Sequence, residues 1–392
     1  MGVNQTSSKQ NSISVNTNML ISSNNHWDPL EEIVVGIADY ARVPTVDAST
    51  MSMCYTNYPI DKIKPLEGAY PDWLIDEANE DLQGLADTLS SMGIKVHRPK
   101  PLDHSVEYST PEWKTTGWYT WCPRDLLLPL NNLMIETPSP CRSRYFETRA
   151  YSDIMLEAIK DGVEWIAAPK PILTDASYQF DNIKDTPSLT NIEPIFDAPN
   201  CIRLGKDILF QISNTGNQLG MQWLKNTLEP RGYRVHAAEH VYSYAHMDST
   251  IIPLRAGKVL LNSTRVNSDN CPKIFDSWDK IYFENVNINP ATDTGPGSVS
   301  PCSPYIGMNI LSIDPDTVVV GKDQTNLIRV LEKDGMNVVP VTMRHAQTLS
   351  GGLHCTTLDL RRRGGLEDYT CLLYTSDAAD DLLCVDLGGR RI

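Results

Sequence analysis

Five times along this chain an amphipathic segment gives way, usually through a glycine, to a short β-rich run. The junctions read Met92-Gly93-Ile94-Lys95-Val96-His97, Asp161-Gly162-Val163-Glu164-Trp165-Ile166, Arg231-Gly232-Tyr233-Arg234-Val235-His236 and Asp334-Gly335-Met336-Asn337-Val338-Val339, with a glycine-free version at Trp278-Asp279-Lys280-Ile281-Tyr282-Phe283. Apolar residues in the amphipathic segments recur at helical spacing. In the last of them Leu327, Ile328, Val330 and Leu331 form a stripe opposite Arg329, Glu332 and Lys333. A glycine just past such a stripe ends the helix, because it takes the left-handed conformation without a Cβ penalty.

Ahead of each helix lies a candidate hairpin. One is expected around 33–36, then over 126–136 with its turn at Asn131-Asn132, 202–212 turning at Gly205-Lys206-Asp207, 251–262 turning at Ala256-Gly257, and 309–320 turning near Asp314-Pro315-Asp316. The unit is therefore hairpin, helix, strand. Units of this size cannot bury their own faces and must stack, and five mixed units in a ring make a five-bladed α/β propeller with a central pocket. A doubly wound sheet also alternates strands and helices. The hairpins favour the ring, since they supply antiparallel pairs that a parallel sheet lacks.

The ring would occupy 26–370 as one domain. Residues 1–25 are rich in Ser, Asn and Gln and are expected to be disordered. Met1-Gly2 followed by Thr6 fits a weak myristoylation pattern. From Cys371 to the end the periodicity stops, and 371–392 reads as a non-native, adaptor-like tail outside the fold.

A formal charge of −15 excludes a basic footprint for nucleic acid and favours cationic small molecules. No apolar run is long enough to span a bilayer. Nine cysteines stand singly, at 54, 122, 141, 201, 271, 302, 355, 371 and 384, without a CxxC pair or a secretory leader, which points to free thiols in the cytoplasm. The sequence contains no HExxH, EF-hand, GxGxxG or Walker pattern, so neither a metal nor an organic cofactor is expected.

Chemistry-bearing residues sit at comparable places in the repeat. Asp125 opens the second hairpin, Asp197 precedes the third, His246 and Asp248 precede the fourth, Cys302-Ser303 precedes the fifth, and Cys355 follows the last strand. Taken alone, Cys355 reads as a small buried hydrophobe, His246 as a satisfied loop histidine, and Asp125 and Asp197 as turn or cap residues. Pseudo-symmetry brings them to one end of the axis together. Two glycines before Cys355 and the basic run Arg361-Arg362-Arg363 after it suggest a loop thiol of lowered pKa. Cysteine, histidine and carboxylates are the parts for thiolate attack on a cationic carbon, with the histidine moving the proton. A thiolate among carboxylates needs a cation between them, and a guanidinium donates paired hydrogen bonds to two aspartates while presenting its carbon to sulfur.

These segments resemble the L-arginine amidinotransferases, a branch of the five-bladed guanidine-modifying pentein fold. The likeness runs over residues 25–369 and rests on Cys122-Pro123-Arg124-Asp125, Arg144-Tyr145-Phe146-Glu147, Ala168-Pro169-Lys170-Pro171, Glu193 to Asp197, His246-Met247-Asp248, Gly307-Met308-Asn309 and Leu353-His354-Cys355. The resemblance implies that Cys355 attacks the guanidinium carbon of arginine, forming an amidino-cysteine and releasing ornithine. His246 then serves as acid and base, and Asp197 orients it. It further implies that Asp125 and Asp248 clamp the guanidinium, that Arg265 holds the substrate carboxylate, and that Tyr119 and Ser303 line the site.

Among family branches the chain looks most like the inosamine-phosphate amidinotransferases, through Ala41-Arg42-Val43-Pro44, Gly68-Ala69-Tyr70-Pro71-Asp72 and the run from Asp248 to Arg255. Ser243 and Ala245 replace larger residues of the glycine-using branch and leave room for a bulkier acceptor. Alternatives on the same fold are glycine or another biosynthetic amine as acceptor, or an arginine deiminase-like hydrolase. Family members are commonly homodimers.

Overall fold

The computed structural model describes residues 19–180, 187–287 and 299–370. Within them the chain builds five three-stranded sheets and two small two-stranded ones, an α/β arrangement. Four of the three-stranded sheets repeat one strand order, a local hairpin and a third strand returning parallel to it, and in three of them a helix makes the connection. Leu127–Leu130 and Leu133–Glu136 form a hairpin turning at Asn131, the helix Ser152–Lys160 follows, and Glu164–Ala167 returns parallel to the second hairpin strand. Cys201–Leu204, Asp207–Phe210 and Arg234–Ala237 repeat this around the helix Gln218–Leu228. Ile251–Arg255, Lys258–Asn262 and Asp279–Phe283 make the fourth sheet, and Leu311–Asp314, Thr317–Gly321 and Asn337–Val341 the fifth. Gly93, Gly162, Gly232 and Gly335 all take positive φ at the exits of these units, as helix-ending glycines must.

Two expectations are corrected here. The first unit has no local hairpin: Leu30–Val35 pairs antiparallel with Thr357–Arg362 from the other end of the chain and parallel with Lys95–His97. Cys355 therefore precedes a strand instead of following the last one, the same position that Asp125 and Asp197 hold in their units. The fourth unit has no α-helix between Asn262 and Asp279, only a short 3-10 turn at Lys273–Phe275. Asn262 and Asn267 side chains accept from the backbone N–H groups of Thr264 and Asp269, bonds that compete with helix formation.

The sheets are separate, with no closed sheet among the described residues, and cohesion comes from cores shared pairwise. Val34, Leu358 and Leu360 of the first sheet pack with Leu127 and Met134 of the second, and Leu128 and Ile135 with Ile208 and Phe210 of the third. Ile202 and Leu209 meet Val259 and Leu261 of the fourth, and Leu254 and Leu260 meet Val318 and Val320 of the fifth. Leu311 and Val319 of the fifth in turn share a cluster with Ile33 and Val35 of the first. Neighbouring residues on one strand thus face different neighbours, because strand side chains alternate. Each fully buried aliphatic side chain contributes roughly 1.5–3 kcal/mol.

Residues 1–18 and 371–392, with Gly2 and the tail, lie outside the described residues. Residues 19–25, assigned by composition to the disordered segment, are instead packed. Leu20 and Ile21 enter the core between the first two sheets, Ser22, Ser23 and Asn25 bridge to Arg361, Asn131 and Leu204, and Ser23 and Asn25 are fully buried. Polar composition reads as disorder only while the polar groups lack partners. Here Ser23 donates to Asp359, and Asn25 Oδ1 accepts from the backbone of Trp27 and Asp28. No described helix is long and apolar enough to cross a membrane.

Candidate active site

Cys355 is held by the glycines before it. A Cβ on Gly351 would lie 2.4 Å from Cys122 Sγ, and one on Gly352 would lie 2.8 Å from Asn309 Cβ, so only glycine lets this loop reach the neighbouring segments. The backbone N–H of Cys355 donates to Asn309 Oδ1 at 2.9 Å. Its thiol lies 3.3 Å from Asp248 Oδ2. Cys355, Asp125, His246, Asp248, Tyr119 and Ser303 all line one pocket of about 70 Å³.

His246 stands between two carboxylates: Nε2 lies 3.0 Å from Asp197 Oδ2, and Nδ1 lies 3.6 Å from Asp125 Oδ1. Asp197 is completely buried behind the ring. Burial alone would lower the histidine pKa, but the charge of Asp125 and the hydrogen bond to Asp197 outweigh it and raise it well above the ordinary value. Asp125 Oδ1 is buried and accepts no hydrogen bond, which leaves an acceptor ready for an N–H donor. Its other oxygen takes Arg144 Nη1 at 2.5 Å. Arg144, fully buried, also donates to both oxygens of Glu147 and lies over the Tyr119 ring, 5.0 Å from its centroid. Burial raises the Asp125 pKa in spite of His246 and Arg144, and raises Glu147 to about 7.

The expected lowered thiol pKa is not found. The hydrogen bond with the Cys122 thiol, burial and the Asp248 charge push Cys355 well above the ordinary cysteine value, with His246 opposing them. Arg361 and Arg362, invoked for a lowered value, are spent elsewhere: Arg361 pairs with Glu31 and Glu32, and Arg362 with Asp359. Asp248 is the reverse case. Burial would raise it, but His354 and His246 hold its carboxyl well below the usual range.

A second cavity of about 660 Å³ adjoins this pocket and shares Ser243, Ala245, Cys302 and Ser303 with it. Arg265 is in its wall, donating through Nη1 to Thr250 Oγ1 at 2.8 Å and through Nη2 to Ser303 Oγ at 3.0 Å. All eight candidate residues therefore fall in or directly behind two connected cavities. Sequence reasoning assigned no role to Cys122, Arg144, Asn309, His354 or His26. All but His26 lie in motifs already singled out; their partnerships are spatial and left no mark in spacing. Among the described residues, no group of three or more His, Cys, Asp or Glu side chains is placed to hold a metal ion.

No family model matches the chain. It is 46% identical over 347 residues to inosamine-phosphate amidinotransferase 1 of Streptomyces griseus, covering 88% of this chain and 97% of the relative. It is 37% identical to the L-arginine:L-lysine amidinotransferase of Pseudomonas savastanoi pv. phaseolicola, over 89% of this chain and 96% of the relative. It is 34% identical to the mitochondrial glycine amidinotransferase of Xenopus tropicalis, over 89% and 84%. The solved structure of the inosamine-phosphate amidinotransferase StrB1 from Streptomyces griseus superposes with a TM-score of 0.85 at 45% identity, covering 90% of this chain and all of that one. With a thiol, a histidine between two carboxylates and a third aspartate meeting in one pocket, and with likeness running over nearly the whole length of these relatives, the chain belongs to the amidinotransferases, enzymes that transfer the amidino group of arginine.

Proposed function

We propose that Cys355 carries the amidino group from L-arginine to an acceptor amine, and that the acceptor is an inosamine phosphate. The convergence of Cys355, His246, Asp125 and Asp248 on one pocket carries this reading. Arginine enters with its guanidinium between Asp125 and Asp248, and its positive charge offsets the carboxylates that keep the thiol protonated. The thiol proton passes through His246 to the departing nitrogen as the C–S bond forms and the C–N bond breaks, so ornithine leaves as an amine. In the second half the acceptor amine attacks the amidino carbon, the C–S bond breaks, and His246 returns the amine's proton to sulfur. Asp197 holds the imidazole in place throughout.

The acceptor assignment rests on the relative named for inosamine phosphate at 46% identity and on the 660 Å³ cavity, which small Ser243 and Ala245 side chains leave open. The five sheets read as blades of a five-bladed propeller, supported by cores shared between each sheet and the next, the fifth with the first. A single domain that runs to residue 370 and takes in 19–25 as well as the expected 26–370, the non-native tail, a cytoplasmic location and a homodimer complete the reading.

The test is incubation with labelled arginine and intact-mass analysis. An amidino adduct on Cys355 that an aminocyclitol phosphate discharges supports the assignment. Citrulline released without any acceptor makes the protein a hydrolase and overturns it.

A further inference from the structure

The larger cavity carries one charged side chain in an otherwise uncharged wall. Its described lining includes Tyr58, Tyr244, Ser303, Tyr305 and Gln347, with Arg265 as the single charge. In a protein of charge −15 this guanidinium nevertheless has no carboxylate within ion-pair distance among the described residues. Its partners are two hydroxyls and the face of Tyr305, 5.2 Å from the ring centroid. Such contacts orient a cation without neutralising it. A half-buried, oriented and uncompensated arginine facing a cavity is a site for an anion.

One anion site must serve a reaction with two amine-bearing substrates. Ornithine departs between the half-reactions, so the arginine that held its carboxylate is free when the acceptor arrives. The acceptors named for the three relatives, an inosamine phosphate, lysine and glycine, each combine an amine with an anionic group. We propose that Arg265 selects the acceptor. It binds the carboxylate of arginine during loading and then the acceptor's phosphate or carboxylate during discharge, which aims the acceptor amine at the amidino carbon on Cys355. This rests on the transferase reading above. The acceptor anion thus needs no separate cation, and acidic substrates are accepted by an acidic protein because the only charge among the described residues of this wall is positive.

The test separates the two half-reactions. Wild-type protein is loaded with arginine, freed of ornithine by gel filtration, and discharged with an aminocyclitol phosphate, the dephosphorylated aminocyclitol, glycine, or hydroxylamine. The expected result is discharge by the phosphate at least roughly 100-fold faster than by the dephosphorylated aminocyclitol, the size of a lost buried charge pair. Inorganic phosphate should slow discharge by the anionic acceptor and leave that by hydroxylamine unaffected. In Arg265→Gln, loaded at high arginine, the preference for the phosphate should collapse toward unity, with Arg265→Lys intermediate. A phosphate preference that survives in Arg265→Gln, or equal wild-type rates with and without the phosphate, overturns the proposal. No discharge by any amine, hydroxylamine included, would instead overturn the transferase reading itself. If glycine outpaces the aminocyclitol phosphate and loses its advantage in Arg265→Gln, the anion site stands and its acceptor is a carboxylate.

Discussion

His354 donates from Nδ1 to Asp248 Oδ2 across 2.8 Å, and the direction of that bond is fixed from outside the pocket. The backbone N–H of Arg203 can only donate, and it meets Nε2 of His26 at 3.1 Å. Arg203 Nη2 also faces His26, at Nδ1, but from 3.5 Å, so the closer backbone N–H decides and the His26 proton sits on Nδ1, which lies 3.2 Å from Nε2 of His354. That leaves the His354 proton on Nδ1, facing Asp248. Burial lowers both pKa values, His354 to about 4, so both rings are neutral and the chain orients the carboxylate without adding charge.

His354→Leu should consequently lower kcat/KM for arginine by about 100-fold, the usual cost of a reacting group misplaced by an ångström. His354→Asn keeps an N–H near the same place and should recover part of the loss. Initial rates against arginine at fixed acceptor measure both. A leucine variant with wild-type kcat/KM would show that Asp248 needs no support from this side.

Cys355→Ala should abolish transfer while arginine still binds, because Asp125 and Asp248 survive as the guanidinium clamp. Removing the thiol also removes the group whose proton Asp248 holds, so affinity should change by less than about tenfold, or 1.4 kcal/mol. Titration calorimetry with arginine, beside a product assay for ornithine, checks both halves. Undiminished ornithine formation would exclude a covalent step at this sulfur.

Much of this was readable from the chain. The four internal hairpins follow from turn chemistry at Asn131, Gly205, Gly257 and Asp314, and the clustering of Asp125, Asp197, His246 and Asp248 followed from their equivalent places before those hairpins. What could not be read was long-range. Leu30–Val35 finds its partner in Thr357–Arg362, more than three hundred residues away, and no local pattern announces such a pairing. The thiol pKa was misjudged for the same reason: Arg361 and Arg362 are near Cys355 in sequence, but their guanidiniums serve Glu31, Glu32 and Asp359, while Cys122 and Asp248 arrive from elsewhere. His26 lies just past the polar start of the chain, where nothing in the composition marks a residue that contacts the site through another histidine.

Arginine binding should release protons. In the free protein His246 is held protonated by Asp125 and Asp197, and the Cys355 thiol is held protonated by Cys122, burial and Asp248. A guanidinium placed between Asp125 and Asp248 disfavours the protonated forms of both groups and lowers both pKa values. The reacting pair needs one proton fewer than the resting pair, whether written as thiolate with imidazolium or thiol with imidazole. Hence kcat/KM for arginine should rise with pH through an apparent pKa above the ordinary histidine value of 6.5. Calorimetry in buffers of different ionisation enthalpy counts the released protons. Proton uptake on binding, or a rate that falls over this range, would contradict the assignment.

The last expectation joins the frame to the site. Asp359 is fully buried in the strand that completes the first sheet, and its carboxylate meets Arg203 at 2.7 Å, Arg362 at 2.7 Å, Arg124 at 2.8 Å and the Ser23 hydroxyl at 2.8 Å. Burial would raise its pKa, but the three guanidiniums hold it well below the carboxylate range. Asp359→Asn keeps the shape and removes the negative charge that all three guanidiniums share. Leaving buried cations unpaired costs about 3–5 kcal/mol, which urea unfolding would read as a lower midpoint at unchanged slope. Arg124 also donates to the carbonyls of His354 and Thr357 on either side of Cys355. The surviving folded fraction should therefore bind arginine more weakly as well, since the guanidinium that ties the Cys355 loop has lost its anchor. An Asp359→Asn protein with wild-type stability would mean that the three arginines do not depend on this carboxylate.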